Sequence, residues 1–325
     1  MAKFTQLGTG LNGRGVNLAA KALEIRPELA AYEFQFEAST HLDIIGPEVN
    51  NSSSINNAAR AEGSPVNERN RATPTVNVAT HKLYEGEIAI DNLRVQDKKY
   101  GLITPQQLTD FQDQQLVMEL RRIVMNFSDD IFAGDGTSNR VVGFSSIITD
   151  ADAAGQTARF GFTAEELAAM LVQANLRLDT AENIKLFLEL LQLQLNLIPG
   201  ANAIHVNTNL HARLTSIARD KGIYSRGQDY FNQSVDMILN IPLVKHQTSA
   251  IPMTESNGES NTCTSMYIVE WMPYTGCNIP TNTGLLFQDF PETSEESSSV
   301  ARVGFYGRPR IQSRSCLRRM SRLQL

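Results

Sequence analysis

The feature that most constrains this chain is a helical repeat of apolar residues sustained across residues 104–133. Leu108, Phe111, Leu116, Leu120, Ile123, Phe127 and Ile131 return at roughly helical spacing, which predicts one apolar stripe on an otherwise polar helix. Thr104 is a good N-cap, Pro105 suits the first helical position, Gln107 completes a capping box, and Gly134 can end the helix. At about 1.5 Å per residue this helix runs about 45 Å, well beyond the usual length of about 10–14 residues. A single helix that long is a beam.

What precedes the beam does not read as a domain. Residues 1–38 open on a glycine-rich stretch and continue into a short helix near residues 16–24, which Arg26-Pro27 should interrupt because the residue before proline avoids the helical region. This segment reads as an extended arm. Residues 50–75 hold only Ile55, Val66 and a few alanines as apolar residues, too little buried surface to offset the entropy of ordering them. Strand-like pieces flank them at residues 34–45 and 76–95, where Val76 and Val78, then Ile88 and Ile90, alternate. Two strands with a long polar tip describe a protruding hairpin.

Beyond the beam the pattern is mixed. Thr163 and Glu166 form a second capping box. Ile184, Leu188, Leu191, Leu195 and Ile198 fit one helical face, although Leu191, Leu193, Leu195 and Leu197 also alternate like a strand. Length and the Pro199-Gly200 stop select the helix. Residues 203–206 read as a buried strand. Asn207 or Thr208 then caps a helix carrying Leu210, Leu214 and Ile217 that ends at Gly222. Further strands are expected at residues 238–244, 266–270 and, finally, 303–314. A serine-rich acidic surface connection is expected at residues 292–299.

Charge is unevenly spread. The chain carries 29 basic and 35 acidic side chains for a net charge of -6. Residues 301–325 hold seven arginines (Arg302, Arg308, Arg310, Arg314, Arg318, Arg319, Arg322) and no acid, leaving 22 of the basic groups against all 35 acids elsewhere. An acidic body with a basic tail implies that the tail faces something anionic. On one strand Arg308, Arg310 and Arg314 share parity and point to one face, where guanidinium groups grip phosphates or carboxylates. Three readings stay open: a solvated face, ion pairs between subunits, and contact with nucleic acid. Subunit contact is favoured because the acidic body supplies many partners.

Other motifs carry little chemistry. Gly8, Gly10 and Gly13 spell GxGxxG, but only seven residues precede them, too few for the strand a dinucleotide site needs. Asp129-Asp130 with Gly134-Asp135-Gly136-Thr137 lacks both EF-hand spacing and the GK[ST] of a P-loop, and reads as a helix end and tight turn. His205 falls in a buried strand and His211 in the next helix; neither HExxH nor GxSxG occurs. Cys263, Cys277 and Cys316 are widely spaced and odd in number, which argues for reduced thiols over a zinc site or disulfide framework. No cofactor, signal peptide or membrane span is expected.

Local stretches carry a family resemblance through their order. Asp130-Ile131-Phe132-Ala133-Gly134-Asp135-Gly136, followed by Val142-Gly143-Phe144, resembles the exit of a spine helix. Residues 203–207 with 214–222 resemble a strand and helix of an axial domain. Leu239-Asn240-Ile241-Pro242-Leu243 is similar to an L-x-G-I-P-V segment, with Asn240 where glycine is usual. Met266-Tyr267-Ile268-Val269-Glu270-Trp271 and Gly284-Leu285-Leu286 resemble later strands. Together they resemble tailed-phage major capsid proteins of the Hong Kong 97-type fold.

That resemblance implies an α+β fold with an N-terminal arm (1–38), an extended hairpin loop (39–100), a peripheral domain with the spine helix (101–161), an axial domain (162–284) and a return to the peripheral domain (285–325). It implies a non-enzymatic shell subunit enclosing double-stranded DNA, located in the virion and assembled in the host cytoplasm. Its partners would be copies of itself in pentameric and hexameric capsomers, a separate scaffolding protein and a portal, with non-specific contact to packaged DNA and no membrane. Arg302, Arg308, Arg310, Arg314, Arg318 and Arg319 become the candidate subunit or genome contacts. An encapsulin-like compartment is the alternative on the same fold. An α/β enzyme is the alternative of another class, and would need a convergent acid/base or nucleophile pocket. Lys82, Lys98 and Lys99 lie in or near the hairpin without a flanking motif that would mark a crosslink.

Overall fold

The computed structural model describes residues 18–36, 43–48, 75–80, 82–91, 105–137, 140–151, 155, 157, 162–228, 234–258, 260, 262–273, 275–281, 285–289 and 298–325. The glycines at 8, 10 and 13, the Thr104 cap with the Gln107 side chain, and most of the polar tip lie outside them.

The chain opens with α1 (Leu18–Ile25), a 3-10 turn (Pro27–Ala31) and β1 (Phe34–Phe36). β2 (Asp43–Glu48), β3 (Thr75–Thr80) and β4 (Lys82–Asp91) lead to the beam, α2 (Pro105–Ala133). Short helices α3 (Phe144–Ile147) and α4 (Ala164–Met170) precede β5 (Leu171–Arg177), α5 (Ala181–Leu197), β6 (Ala203–Asn207) and α6 (Thr208–Asp220). The rest is strand: β7 (Tyr224–Gln228), β8 (Ser234–Ile238), β9 (Ile241–His246), β10 (Thr264–Val269), β11 (Cys277–Thr281), β12 (Leu285–Asp289), β13 (Ser298–Gly307), β14 (Arg310–Ile311) and β15 (Leu317–Gln324).

Among the described residues the strands form four sheets. The largest runs β5-β15-β10-β6-β9-β8-β7, and two of three strands run β1-β11-β14 and β12-β13-β4. The seven-stranded sheet divides the apolar interior. Along β10, Met266 and Ile268 join Phe187 and Leu191 of α5 and Leu210 and Leu214 of α6. Tyr267 and Val269, one residue out of phase, join Phe132 and Phe144 on the other side. Successive strand side chains point to opposite faces, so a strand between two cores is buried on both faces, with its polar side chains hydrogen-bonded. Hence β6 and β10 are buried at every position.

The beam behaves as its periodicity demands. Leu116, Leu120, Ile123, Val124, Phe127 and Ile131 are buried, and Phe127 packs edge-on against Phe305 of β13 at 4.7 Å between centroids. The helix stops where Gly134 N–H donates to the Asp130 carbonyl and Gly143 N–H donates to the Gly134 carbonyl. A Cβ on Gly143 would sit 2.5 Å from the Asp130 oxygen and 2.7 Å from that of Phe132, so this crossing admits no side chain.

Several expectations are borne out locally. Thr163 and Glu166 make the reciprocal capping box. Residues 181–197 are helical rather than extended, started by Thr180 Oγ1 accepting from Asn183 N–H. Asn207 caps α6, and Gly222 follows it at φ +70°.

Others are corrected. The described part of the arm is not free: Ala22, Leu29, Tyr32 and Phe34 are buried in the beam's core, and β1 pairs in parallel with β11. The strand expected at 238–244 is a hairpin, β8 and β9, turning on Leu239 (φ +52°) and Asn240 (φ +65°). Asparagine tolerates that left-handed conformation where glycine is usual. The strand expected at 303–314 breaks after Gly307 at Arg308-Pro309, where proline lacks the N–H that a ladder needs. β5 was not foreseen, because a strand following a helix without a loop leaves no turn signal.

Candidate functional site

The basic tail is the first place to look for contacts, and the structure does not assemble it as one row. Arg308 and Arg310 flank Pro309, and Arg314 sits in a turn where Ser315 N–H donates to Ser313 Oγ. Arg308, Arg310 and Arg314 therefore do not share a strand face. Arg310 is buried and donates to Asn278 Oδ1 at 3.1 Å and Gln35 Oε1 at 3.0 Å. Arg318 donates to the Ala169 carbonyl at the end of α4. Arg319 is buried, pairs with Glu255 at 2.6 Å and donates to Ser265 Oγ at 2.8 Å. Arg322 sits at φ +59° in a bulge of β15, held by Asp150 at 3.0 Å and by its own N–H on Glu255. Much of the tail's charge is thus neutralised within the chain, by Glu255 and Asp150, which lie far from it in sequence. Arg302, half-exposed beside Glu85 at 3.5 Å, and the exposed Arg314 keep surface for an outside partner.

The aspartates at the end of the beam are structural. Asp130 is buried, pairs with Arg140 at 2.6 Å and accepts from Tyr84 Oη at 2.7 Å. Asp135 accepts from both the N–H and the hydroxyl of Thr137, which lower its pKa. Among the described residues no cluster of three or more His, Cys, Asp or Glu could hold a metal ion, and no helix is long and apolar enough to cross a membrane.

A buried polar junction ties the N-terminal segment to the beam and the large sheet. Arg26, 2% exposed, reaches Asp129 of α2 at 2.8 Å and Glu28 at 3.3 Å, and Ser128 Oγ donates to Glu28. Burial raises the pKa of both carboxylates, and Arg26 opposes the shift. Beside it, Trp271 Nε1–H donates to His205 Nε2 at 2.8 Å, and His205 Nδ1 meets His246 Nε2 at 2.9 Å. Because His205 Nε2 accepts, its proton must sit on Nδ1 and be donated to His246, whose own proton then sits on Nδ1. Tyr32 and Phe132 pack over both rings. Sequence placed His205 in a buried strand; nothing in the spacing revealed its partner, 41 residues away.

A groove of about 470 Å³ between the 3-10 turn and β7–β9 carries His211, whose Nε2 lies 3.5 Å from Asp236 Oδ2. Among the described residues no hydroxyl or thiol hydrogen-bonds the His211 ring, and Asp236 is also taken by Tyr224 Oη at 2.6 Å. Among the described residues the imidazole–carboxylate pair has no attached nucleophile of the kind an acyl-transfer site needs.

Two surfaces suit association. Leu186, Leu193 and Leu197 lie exposed along α5, and Met118 is 60% exposed on the beam. β2 and β3 pair with each other from Asp43–Thr80 to Glu48–Thr75 and, among the described residues, with no third strand.

No family model and no curated protein matches the sequence. Solved structures do match. The holo-SrpI encapsulin complex from Synechococcus elongatus PCC 7942 superposes at TM-score 0.56 and 10% identity over 92% of this chain and 89% of that one. The capsid of an empty GTA particle gives 0.49 and 10% identity over 96% and 90%. The satellite phage P4 procapsid including size determination (Sid) protein gives 0.45 and 12% identity over 95% and 99%. The first of these carries the fold: the chain is an α+β protein of the Hong Kong 97-type architecture.

Proposed function

We propose that the chain is a structural subunit that self-assembles into a closed icosahedral shell, the major capsid protein of a tailed phage, and that it performs no catalysis. The observation that carries this reading is the β2–β3 ladder. A two-stranded hairpin is marginally stable at best in water, and among the described residues this one has no third strand. Its natural completion is a neighbouring copy. Repetition of one such reach under symmetry closes a shell, and a beam fixes the distance over which each subunit reaches.

On this reading the β2–β3 part of the hairpin segment 39–100 lies over a neighbour while β4 stays in its own sheet beside β13, residues 162–284 meet around the axes of pentameric and hexameric capsomers, and the beam with residues 285–325 lines the shell between them. Arg302 and Arg314 are the tail residues best placed for subunit contact, with the half-buried Arg308 beside them; Arg310, Arg318 and Arg319 support that surface from within, and non-specific contact with packaged DNA is the other use of the exposed charge. A separate scaffolding protein and a portal complete the partner set, and the virion is the destination. The encapsulin-like compartment stands as the second reading, favoured by the superposition on an encapsulin subunit. Particles from the native host separate the two by content, DNA for the first and a protein cargo for the second.

Replacing residues 43–80 with a short Gly-Ser linker tests the proposal. The far-ultraviolet circular dichroism and thermal midpoint of the subunit are expected to change little, while closed particles disappear from electron micrographs. Normal particles from the shortened chain would remove the hairpin from assembly and with it the main support for this function.

A further inference from the structure

Cys277 and Cys316 lie far apart in sequence, yet the fold holds their sulfurs 3.3 Å apart in a fully buried site. The approach is fixed by backbone, not by side-chain chance. Cys277 N–H donates to the Glu270 carbonyl at 2.8 Å, and Glu270 N–H donates to the Cys316 carbonyl at 2.8 Å, so one residue just past the end of β10 clamps both cysteines. Cys277 opens β11, in the three-stranded sheet β1-β11-β14, and Cys316 immediately precedes β15 of the seven-stranded sheet. Cys263, the third thiol, lies at the other end of β10, where its thiol meets the Ser260 carbonyl.

We propose that Cys277 and Cys316 are an oxidative modification site, a dithiol that closes to a reversible disulfide stapling the two sheets. The two sulfurs are unequal. Burial pushes both thiols up; for Cys316 the hydrogen bond from Cys277 and the backbone groups of Ser313 and Gln312 outweigh it, whereas Cys277 stays well above its ordinary value. Cys316 attacking and Cys277 resolving is one order of the step, and the reverse order gives the same disulfide. With a peroxide as oxidant, the Cys316 thiolate attacks one peroxide oxygen, the O–O bond breaks, and the sulfur becomes a sulfenic acid as the other oxygen leaves as water. The Cys277 sulfur then displaces the sulfenic oxygen, which leaves as a second water. Two sulfurs have lost one electron each and the peroxide has gained both. The sulfurs need to close by about 1.3 Å to bonding distance, a side-chain movement. The staple is a property of the subunit and does not depend on the shell reading.

The experiment is hydrogen peroxide treatment of the intact, folded protein, followed by mass spectrometry and thermal melting. We expect an intact mass lower by two hydrogens, a tryptic peptide linking Cys277 to Cys316, an unmodified Cys263, and a Tm raised by roughly 5 °C or more. Dithiothreitol should reverse both changes. Cys277→Ser and Cys316→Ser should each lose the shift, and Cys263→Ser should keep it. Three free thiols after oxidation, a link through Cys263, or a sulfinic acid at Cys316 without a crosslink would each overturn the proposal on the wild-type protein alone.

Discussion

Replacing Arg26 by alanine is expected to destabilise the subunit by about 4 kcal/mol, because it leaves buried carboxylates without their cation. Arg26 is 2% exposed and joins Glu28 to Asp129, so one guanidinium holds the N-terminal segment on the beam. Truncation strips the compensation from two groups whose burial already disfavours their charge. The double variant Arg26→Ala, Asp129→Asn should recover part of the loss, since one orphaned charge goes with its partner. Urea unfolding of the three proteins reads this directly. A loss under about 1 kcal/mol would mean that the junction behaves like an exposed ion pair.

Acid is expected to weaken the subunit well above the pH at which carboxylates titrate. Burial holds His205 well below its ordinary 6.5, with the neighbouring His246 adding to the effect, and burial followed by the Arg26 charge holds His246 at about 3. Geometry says the same: a second proton on His205 would set its N–H against the Trp271 N–H across 2.8 Å. For groups whose folded pKa is depressed in this way, the unfolded chain takes the protons first. Their contribution is complete above pH 6.5 and is lost as pH falls through the window down to about 3 for His246. At about 1.4 kcal/mol per pH unit for each ring, stability drops by about 4 kcal/mol between about pH 7 and pH 5. Glu28 and Asp129, raised by burial, work the other way: the folded state takes their protons first, and that recovery runs from their raised values down to the ordinary 4.5 and 3.8, so it offsets part of the histidine loss. Denaturant midpoints at the two pH values test this, with His205→Gln, His246→Gln as the flattened control. Equal midpoints for the wild type, with the double variant equally flat, would show that the buried histidines take up protons as readily in the folded protein as in the unfolded chain.

Elements with a strong local signature were legible in the sequence. The beam, the Thr163–Glu166 box and the Asn207 cap each depend on residues within a turn of one another. The Leu-rich segment that could be read either way became a helix because one stripe of it, through Phe187 and Leu191, has a core to enter. What failed was long-range or proline-dependent. Parity aligned Arg308, Arg310 and Arg314 only by ignoring Pro309 and the Ser313–Ser315 turn. The internal acids that neutralise Arg319 and Arg322, Glu255 and Asp150, are 64 and 172 residues away, and no spacing rule joins them. The arm looked unable to form a core because its apolar residues are few; Ala22, Leu29, Tyr32 and Phe34 instead complete a core built by the beam. The thiol pair was hidden in the same way, by the fold bringing together cysteines that sequence spacing kept apart.

The most direct test of the central claim, that this subunit exists to associate with copies of itself, is electron microscopy of the purified chain across protein and salt concentrations, with light scattering on the same samples. The expected result is ring-shaped capsomers or closed particles at high concentration, built from a subunit reaching over its neighbour with the β2–β3 ladder. A species that stays monomeric and compact under every condition would contradict it.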